Sequence, residues 1–447
     1  MAEGSTAARQ RKWHDTGHAS LCVLGAHLRR IGFFRPLEEG LKLKQKVLKY
    51  TPVQKLEMLF VALLAGAKAV SQTSTTLRVD PALQAAFGLP GCADQSAIAD
   101  TLDAATEPDV AALRQAIDTL FVQYSQARRH AFDQAVLVLD LDLSPLPASP
   151  RAEGSERGYM GRSRSKTGRK LVRVRAAQYG ETVWEAVLPG RTVETLAVLQ
   201  QAVEATERLL GLDGDTPEAQ ARRARTEWRL DSAWGSEEDF NWLLGRGYQV
   251  TAKFRSTARV KKLVAPIADW QPTASAGREV APVPCPVAFV RPTRQYAVRT
   301  PSDAKPGGFH HAIVCTSRLE LDMQQVVAHY DARAGMEADL KSDKRGLGLA
   351  TLRKRRLAAQ QVLVFLVELA HNVLVWSRRW LAEQAPRLAS FGIVRLVQAV
   401  WAVPGRVKLT PAGLQRVRLK RAHPWARQVS RGLRLLLAPS ETLELWP

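Results

Sequence analysis

The chain has 447 residues, of which 46% are hydrophobic and 24% are charged. This composition predicts packed domains and excludes a disordered or low-complexity protein. Lysine and arginine number 64 against 43 acidic residues, which gives a formal net charge of +21. Such an excess favours a polyanionic partner, with nucleic acid as the leading candidate. The four cysteines are too widely spaced for a small disulfide framework or a paired-cysteine metal site, and they fit a reducing cytoplasm.

Neither the start of the chain nor its apolar stretches predict a membrane protein. Residues Met1 to Asp15 are polar and lack the apolar core of a signal peptide. The stretch Leu59 to Ala67 is too short to span a bilayer, and the stretch Val362 to Trp376 contains Glu368 and His371. We therefore expect buried helices at both places and no membrane partner.

Residues 1–131 are predicted to form a helical N-terminal DNA-binding domain. Thr51 followed by Pro52 is typical of a helix start, and a second helix is expected after Thr106, with apolar residues three or four positions apart. Basic residues in the first fifty positions fit either a DNA surface or scattered solvated charges: Arg9, Arg11, Lys12, Arg29, Arg30, Lys42, Lys44, Lys46 and Lys49.

From Ala135 the hydrophobic period changes to that of a strand. Asp140 and Asp142 lie on one face of this strand, near its end. Further strands are predicted at Leu171–Gln178, Thr182–Leu188, Arg225–Leu230 and Gln249–Phe254, and helices at Thr192–Leu210 and Glu237–Leu244. Three strands followed by alternating helix and strand predict an α/β fold with a ribonuclease H-like core, whose first part is 132–254.

The second half of the chain begins with a proline-rich segment. Eight prolines in 255–310 favour short strands and turns over long helices. Residues 311–385 are predicted to complete the core with a strand, a helix that begins near Asp322 and a long helix from about Leu352 to Ala385. Residues 386–447 are predicted to form a helical, basic C-terminal region, because Arg406 to Arg434 contains nine basic residues and no acid.

A stripe of functional side chains is predicted on the helix that begins near Asp322. Tyr330, Arg333, Glu337 and Lys344 stand at positions i, i+3, i+7 and i+14, so in one α-helix they fall within a sector roughly 60° wide. A carboxylate among a hydroxyl and two cations suits a surface that grips phosphates and holds one metal ligand. The alternative is a plain surface helix with an Arg333–Glu337 ion pair.

This spacing, Y-x2-R-x3-E-x6-K, resembles the signature of the cut-and-paste DDE transposases of bacterial insertion sequences, in the insertion-sequence-four superfamily. The resemblance implies a ribonuclease H-like core, a β-rich insertion at 255–310 and two upstream aspartates at strand ends. Asp142, two residues before Ser144, resembles the family's aspartate, any residue, then a hydroxyl residue, and Asp231 follows a predicted strand. Asp140, on the same face as Asp142, remains an alternative for the first aspartate.

The resemblance also implies the roles of these residues. Asp142, Asp231 and Glu337 would be the catalytic and metal-ligating set, holding two Mg²⁺ ions (or Mn²⁺) about 4 Å apart. Phosphate contacts with the transposon end would come from Tyr330, Arg333 and Lys344 of the signature. Lys341, on the same predicted helix, is a further predicted DNA-binding residue. Trp270 in the insertion would either pack against the protein or stack on an unpaired base.

The function predicted in this way is cut-and-paste transposition of an insertion sequence. The expected partners are double-stranded DNA, as terminal inverted repeats and as target, and a second copy of the chain in the DNA complex. The expected location is the bacterial cytoplasm, with the nucleoid. Two alternatives stay open: a transposase-derived DNA-binding protein that does not cleave, and a ribonuclease H-like nuclease. The basic, glycine-containing segment Arg151–Arg175 is a further candidate for contact with a DNA backbone.

Overall fold

The structure is a computed structural model that describes residues 13–46, 49–158, 160, 166–191, 195–302, 308–410 and 413–447. Arg9, Arg11 and Lys12, the start of the helix predicted at Thr192 and six residues of the Arg151–Arg175 segment lie outside these ranges. The helices are α1 Ala19–Arg30, α2 Arg35–Gly40, α3 Pro52–Leu64, α4 Thr73–Thr76, α5 Pro81–Ala86, α6 Gln95–Ala104, α7 Glu107–Tyr124, α8 Thr195–Leu210, α9 Pro217–Ala224, α10 Glu237–Gly245, α11 Thr257–Val264, α12 Met323–Asp331, α13 Ala334–Gly346, α14 Leu357–Ala382, α15 Ile393–Arg395 and α16 Ala426–Leu433. The strands are β1 His14–Thr16, β2 Leu137–Pro147, β3 Glu156–Arg157, β4 Thr167–Ala176, β5 Glu181–Pro189, β6 Thr226–Leu230, β7 Gln249–Lys253, β8 Gln271–Pro272, β9 Glu279–Pro282, β10 Arg294–Pro301, β11 Phe309–Thr316, β12 Gly405–Thr410, β13 Gly413–Lys420 and β14 Thr442–Trp446.

The chain divides into two compact units, each built from separate segments. The first unit comprises Met1–Ser125, Pro145–Arg169 and Asp339–Pro447. The second comprises Gln126–Ser144 and Lys170–Ala338. The five functional domains set out above remain a prediction, since compactness does not by itself assign a function to a segment.

The first unit is organised around the long helix α14. Most of its side chains are buried, and it packs against α3, α6, α7 and α16. Its one acid, Glu368, is fully buried and accepts two hydrogen bonds from Arg114 of α7, at 2.6 and 3.0 Å. Alone among the helices described, α14 has the length and hydropathy of a membrane span, yet 94% of its most apolar window is buried inside the protein. A core helix passes the same test of length and composition.

The helix starts predicted at Thr51 and Thr106 are confirmed. Thr51 caps α3, with its hydroxyl accepting a hydrogen bond from the Gln54 amide and the Gln54 side chain bonding back to the Thr51 amide. Thr106 and Asp109 form the corresponding capping box of α7. These reciprocal bonds satisfy backbone amides that a helix start otherwise leaves unpaired.

The prediction of a helical C-terminal region is only partly right. Residues 405–420 form the antiparallel pair β12 and β13, β14 adds in parallel to β13, and β1 from the N-terminal region adds to β12. The all-helical reading of residues 1–131 is therefore also corrected at β1. The physical reason is visible in Arg416–Lys420, where basic and apolar residues alternate with the period of a strand.

The second unit is a mixed α/β structure around a twisted sheet. Strand order runs β4-β2-β6-β7-β11-β10-β9-β8, and β5 pairs with β4 on the other side. The strands β2, β6 and β7 are parallel neighbours, whereas β11 is antiparallel to β7. All the strands predicted in 135–254 are present. The helix α9 was missed, although Thr216 and Pro217 carry the same start signal as Thr51 and Pro52.

Candidate active site

Three parallel strands place charged side chains in one row at the edge of the second unit's sheet. Leu141 of β2 pairs with Leu230 of β6, and Leu230 pairs with Ala252 of β7. The next residue of each strand therefore follows in the same row: Asp142, Asp231 and Lys253. Since neighbouring strands are about 4.8 Å apart, the register alone brings together two acids that are 89 residues apart in the chain.

Asp140 belongs to a different environment, one step inside this row. It pairs in register with Arg229 of β6, and its carboxylate is fully buried. Arg229 donates to it twice, from Nε at 2.6 Å and from Nη2 at 3.0 Å, and Arg175 lies 3.5 Å away. A buried carboxylate that accepts two hydrogen bonds from one arginine has a structural role in the sheet.

Asp142 is the acid that faces the edge. Its side chain is 14% exposed and accepts one hydrogen bond, from Nη2 of Arg333 at 2.6 Å. Burial raises the pKa of Asp142 above its ordinary value, Arg333 lowers it, and the negative charges of Asp231 and Glu337 raise it again, with a net upward shift. The carboxylates of Asp231 and Glu337 are thus close enough to act electrostatically on Asp142.

Asp231 and Tyr330 meet at the end of β6. Asp231 is partly exposed and caps the short helical turn 232–234, where its Oδ1 accepts a hydrogen bond from the Ser232 amide at 2.7 Å. Tyr330 is buried among apolar residues of the insertion strands and donates its hydroxyl to the Leu230 carbonyl at 3.3 Å. Burial raises the pKa of Tyr330, so the phenol stays neutral. Tyr330 thus supports the backbone next to Asp231.

The single continuous helix predicted for Tyr330, Arg333, Glu337 and Lys344 is not present. It ends at Asp331 and resumes at Ala334, and hydrogen bonds of the i to i−3 type span the break, from the Arg333 amide to the Tyr330 carbonyl and from the Met336 amide to the Arg333 carbonyl. A 3₁₀ turn advances about 120° per residue, compared with about 100° in an α-helix. The break therefore rotates α13 relative to α12 by several tens of degrees.

The break gives the signature residues different environments. Arg333 is buried, donates to Asp142 and to the Leu141 carbonyl, and its Nη1 lies 3.8 Å from Oε1 of Glu337. Glu337, in the first turn of α13, has a side chain that is 70% exposed. The i to i+4 ion pair expected under the surface-helix alternative is thus long, because Arg333 is engaged mainly by Asp142. Lys341 and Lys344 lie further along α13, in the first unit, with Lys341 exposed and Lys344 partly buried.

Trp270 lies on the insertion beside cationic and aromatic neighbours. The guanidinium of Arg299 lies 4.5 Å from the Trp270 ring centroid, and the His311 ring is 5.9 Å away. Arg299 is itself held by Glu279, at 2.5 Å. This arrangement agrees with the packing alternative for Trp270, because an arginine already covers the ring.

Lys253 is a site residue that the sequence argument missed. Its ammonium lies 4.8 Å from the Tyr330 ring centroid. Burial and the positive charges of Arg278 and Arg333 lower its pKa, while Asp231 and Asp331 raise it, with a net downward shift. The available signal was its position at the end of the strand predicted next after Arg225–Leu230, since parallel strands end at one edge.

The donor set at this edge is all-oxygen, which suits a hard divalent cation. Within the described ranges, no three His, Cys, Asp or Glu side chains stand close enough to ligate one metal ion. Asp231 and Glu337 are near enough to raise the pKa of Asp142. Charges act over longer distances than the bonds between a metal ion and its ligands, so this effect does not require that the three acids touch one ion. In this arrangement Arg333 supplies the positive charge at Asp142. The residues fit a divalent metal in two respects. Their ligand atoms are carboxylate oxygens, and two further acids lie near enough to Asp142 to raise its pKa.

The family of this chain is shown by a comparison with protein-family models. A family model described as "Transposase DDE domain group 1" matches residues 215–438, half of the chain. The fold resembles that of the piggyBac transposase, from a cryo-EM structure of its synaptic complex with hairpin DNA, with a TM-score of 0.50, 12% sequence identity and coverage of 96% of this chain and 85% of that one. The Mos1 transposase, in a crystal structure of a pre-cleavage transpososome, matches with 16% identity, a TM-score of 0.18 and coverage of 49% and 66%. No curated protein sequence gives a significant match. The chain belongs to the DDE transposases.

Proposed function

We propose that this DDE transposase moves an insertion sequence by cutting at its ends and joining the freed strands to target DNA, with Asp142, Asp231 and Glu337 as its acid triad. The observation that carries the proposal is the row at the sheet edge, where Asp142 stands beside Asp231 in register and also responds to the charge of Glu337. The strand order β5-β4-β2-β6-β7, with β2, β6 and β7 parallel, supports a ribonuclease H-like core around this row.

Asp142 is favoured over Asp140 as the first acid of the triad. Asp140 is neutralised by Arg229 within the sheet, whereas Asp142 is partly exposed and lies next to Asp231. A carboxylate binds a divalent ion through an oxygen that no cation already holds. Arg333 makes a single hydrogen bond to the Asp142 side chain, whereas two bonds from Arg229 hold Asp140.

Each protein group has a defined task in phosphodiester cleavage. Asp142, Asp231 and Glu337 would hold divalent ions, Mg²⁺ in the first place, and these would supply charge neutralisation at the phosphate and an activated nucleophile. Arg333 keeps Asp142 oriented toward the edge, and Tyr330 holds the backbone that carries Asp231. Lys253 adds a cation on the far side of Asp231, where it offsets the negative charge of a bound phosphate. Hydrolysis and strand transfer share an in-line geometry, so one such edge serves both reactions.

We further propose duplex DNA as the partner, both as inverted repeats and as target. The net charge of +21 supports a polyanion, and the resemblance of the Tyr330, Arg333, Glu337 and Lys344 spacing to the insertion-sequence-four signature supports a bacterial element. Lys341 and Lys344 would contact phosphates of the transposon end. A pair of bound ends calls for two copies of the chain in the DNA complex, and the protein would act in the cytoplasm with the nucleoid.

The test is cleavage of DNA that carries the element's own ends, in the presence of magnesium. We expect Asp231→Ala and Glu337→Ala to abolish cleavage while leaving DNA binding measurable, since both side chains are at least partly exposed and their loss creates no cavity in a core. The matched control is Asp339→Ala, an acid two residues beyond Glu337 on α13. Cleavage by either triad variant at the wild-type rate would refute the triad. Binding without cleavage by the wild-type protein would favour the DNA-binding alternative.

A further inference from the structure

The sheet of the first unit carries a strongly charged exposed face. Its strands run in the order β1-β12-β13-β14. Alternate residues of β12 and β13, including Val407, Val417 and Leu419, are buried on one side. The other side, here called the basic face, carries five cations and two acids: Arg406, Lys408, Arg416, Arg418, Lys420, Asp15 and Glu444.

The basic face brings like charges together across neighbouring strands. Arg406 is paired in register with Arg418, and Lys408 with Arg416. Like charges directly opposite each other destabilise a sheet. Arg406 and Arg418 are relieved by flanking acids, with Asp15 2.7 Å from Arg406 and Glu444 3.1 Å from Arg418. In the described part of the chain, Lys408 and Arg416 form no ion pair, so no acidic side chain there offsets their repulsion.

Two tryptophans lie beneath the arginines of the basic face. The Arg406 guanidinium lies 4.3 Å from the Trp446 ring centroid, and the Arg418 guanidinium lies 4.6 Å from that of Trp13. Stacking of this kind fixes the guanidinium planes. It also covers one face of each ring, which reduces the aromatic surface left for unpaired bases. The basic face is therefore better suited to a phosphate backbone whose bases are already paired.

We propose that the basic face binds the phosphate backbone of duplex DNA, outside the acid triad and without reading sequence. This inference deepens the proposed function and relies on it for the identity of the polyanion. The cations extend over the five residues Arg416–Lys420 of β13 and over two adjacent strands, a patch about 13 Å long and about 5 Å wide. A patch of this size meets several phosphates of one strand, because each strand of a duplex carries one charge per about 3.4 Å of axis.

The test is the salt dependence of binding to a short duplex that lacks the transposon ends. The variant is Lys408→Gln with Arg416→Gln in the full chain, and the control is Lys261→Gln with Lys262→Gln, which removes the same charge from two exposed positions of α11. We expect the slope of log K against log salt to fall by about two in the variant, so that between roughly 50 and 200 mM salt the wild-type protein loses about tenfold more affinity than the variant. The control should keep the wild-type slope.

Three further readouts separate this proposal from its rivals. The thermal midpoint of the variant should not fall, because the substitutions remove a like-charge pair. A single strand of the same length should show a smaller change in slope than the duplex, and the wild-type protein should bind vesicles of anionic lipid more weakly than duplex. An unchanged slope, an equal change in the control, or a loss confined to vesicles would overturn the proposal. Cleavage by the wild-type protein is scored separately, so a protein that binds duplex through this face but never cleaves would refute only the proposed function.

Discussion

Asp140 and Asp142 should respond in opposite ways to the same substitution. The two residues are two positions apart on β2 and face the same side of the strand, but β6 places Arg229 next to the first and Asp231 next to the second. Replacement by asparagine keeps the shape of each side chain and removes only its charge. We expect Asp140→Asn to lower stability, and Asp142→Asn to abolish cleavage while leaving the fold intact.

The magnitudes follow from the partners. Asp140→Asn leaves Arg229, only 3% exposed, without the carboxylate that accepts two of its hydrogen bonds. Breaking a buried ion pair in this way costs about 3 to 5 kcal/mol, or on the order of 10 °C in the melting temperature of a unit this size. Asp142→Asn removes a carboxylate whose pKa is raised by burial and by two neighbouring acids. Its loss of the Arg333 bond is offset by this relief, so we expect a change within about 1 kcal/mol.

The assay pairs thermal unfolding, followed by circular dichroism, with cleavage of end-containing DNA in magnesium. Asp142→Asn should melt as the wild-type protein does and not cleave. Asp140→Asn should melt at a lower temperature and retain cleavage at temperatures where it is still folded. Normal melting with lost cleavage in Asp140→Asn, together with cleavage by Asp142→Asn, would exchange the two assignments and refute the argument from register.

Variants at three other residues test the electrostatics around the site and in the first unit. Lys253→Met should slow cleavage with a stability change of about 1 kcal/mol or less, whereas Lys253→Arg should retain activity; equal rates for both variants would remove Lys253 from the site. Arg333→Ala should move the acid limb of the cleavage profile to higher pH, because it removes the positive charge that lowers the Asp142 pKa; an unmoved limb would contradict this. In the first unit, burial and nearby Glu38 raise the pKa of Glu57 to about 8, so the native state holds a proton that the unfolded chain releases, and stability should fall as pH rises from about 4.5 to 8; Glu57→Gln should flatten this dependence in urea unfolding, and a dependence equal to that of wild type would refute the shift.

The strands of the second unit could be predicted from the sequence because the patterns that indicate them are local. β2, β6 and β7 each show a short apolar run bounded by turn residues, which predicts a strand without knowledge of its neighbours. The C-terminal strands were harder to recognise because their alternate residues are basic. A count of charge over 29 residues suggests a solvated helix, whereas the alternation within Arg416–Lys420 indicates a strand. Charge density is thus a poorer guide than period.

The prediction of one continuous helix for the signature residues was wrong for a different reason. Helical spacing predicts a shared face only if the helix is continuous. Between Tyr330 and Glu337, three backbone amides donate hydrogen bonds of the i to i−3 type, and the α-helix is interrupted there. Neither proline nor glycine marks the start of the break at Ala332, so local propensity gives no warning. Tertiary contacts account for it, since Tyr330 is packed in the insertion core and Arg333 is drawn to Asp142.

Lys253 was missed because a lysine at the end of a strand carries no motif. Its place in the site depends on the pairing of β7 with β6, and strand pairing cannot be read from a single sequence. The same limit left the choice between Asp140 and Asp142 open, because both residues precede a polar position on the same face of β2.

The register of β2 against β6 explains how one strand carries both a structural acid, Asp140, and the proposed catalytic acid, Asp142. The facing residues of β6 run arginine, leucine, aspartate, and those of β2 run aspartate, leucine, aspartate. The first row is therefore an ion pair and the third a pair of like charges. Two carboxylates side by side destabilise the apo protein, and a divalent ion reverses the sign of that interaction. The Asp140–Arg229 pair, buried one step below, fixes the register that keeps the two acids adjacent. A slip of one residue would turn both acids of β2 to the opposite face, so the structural pair is what makes the like-charged pair possible.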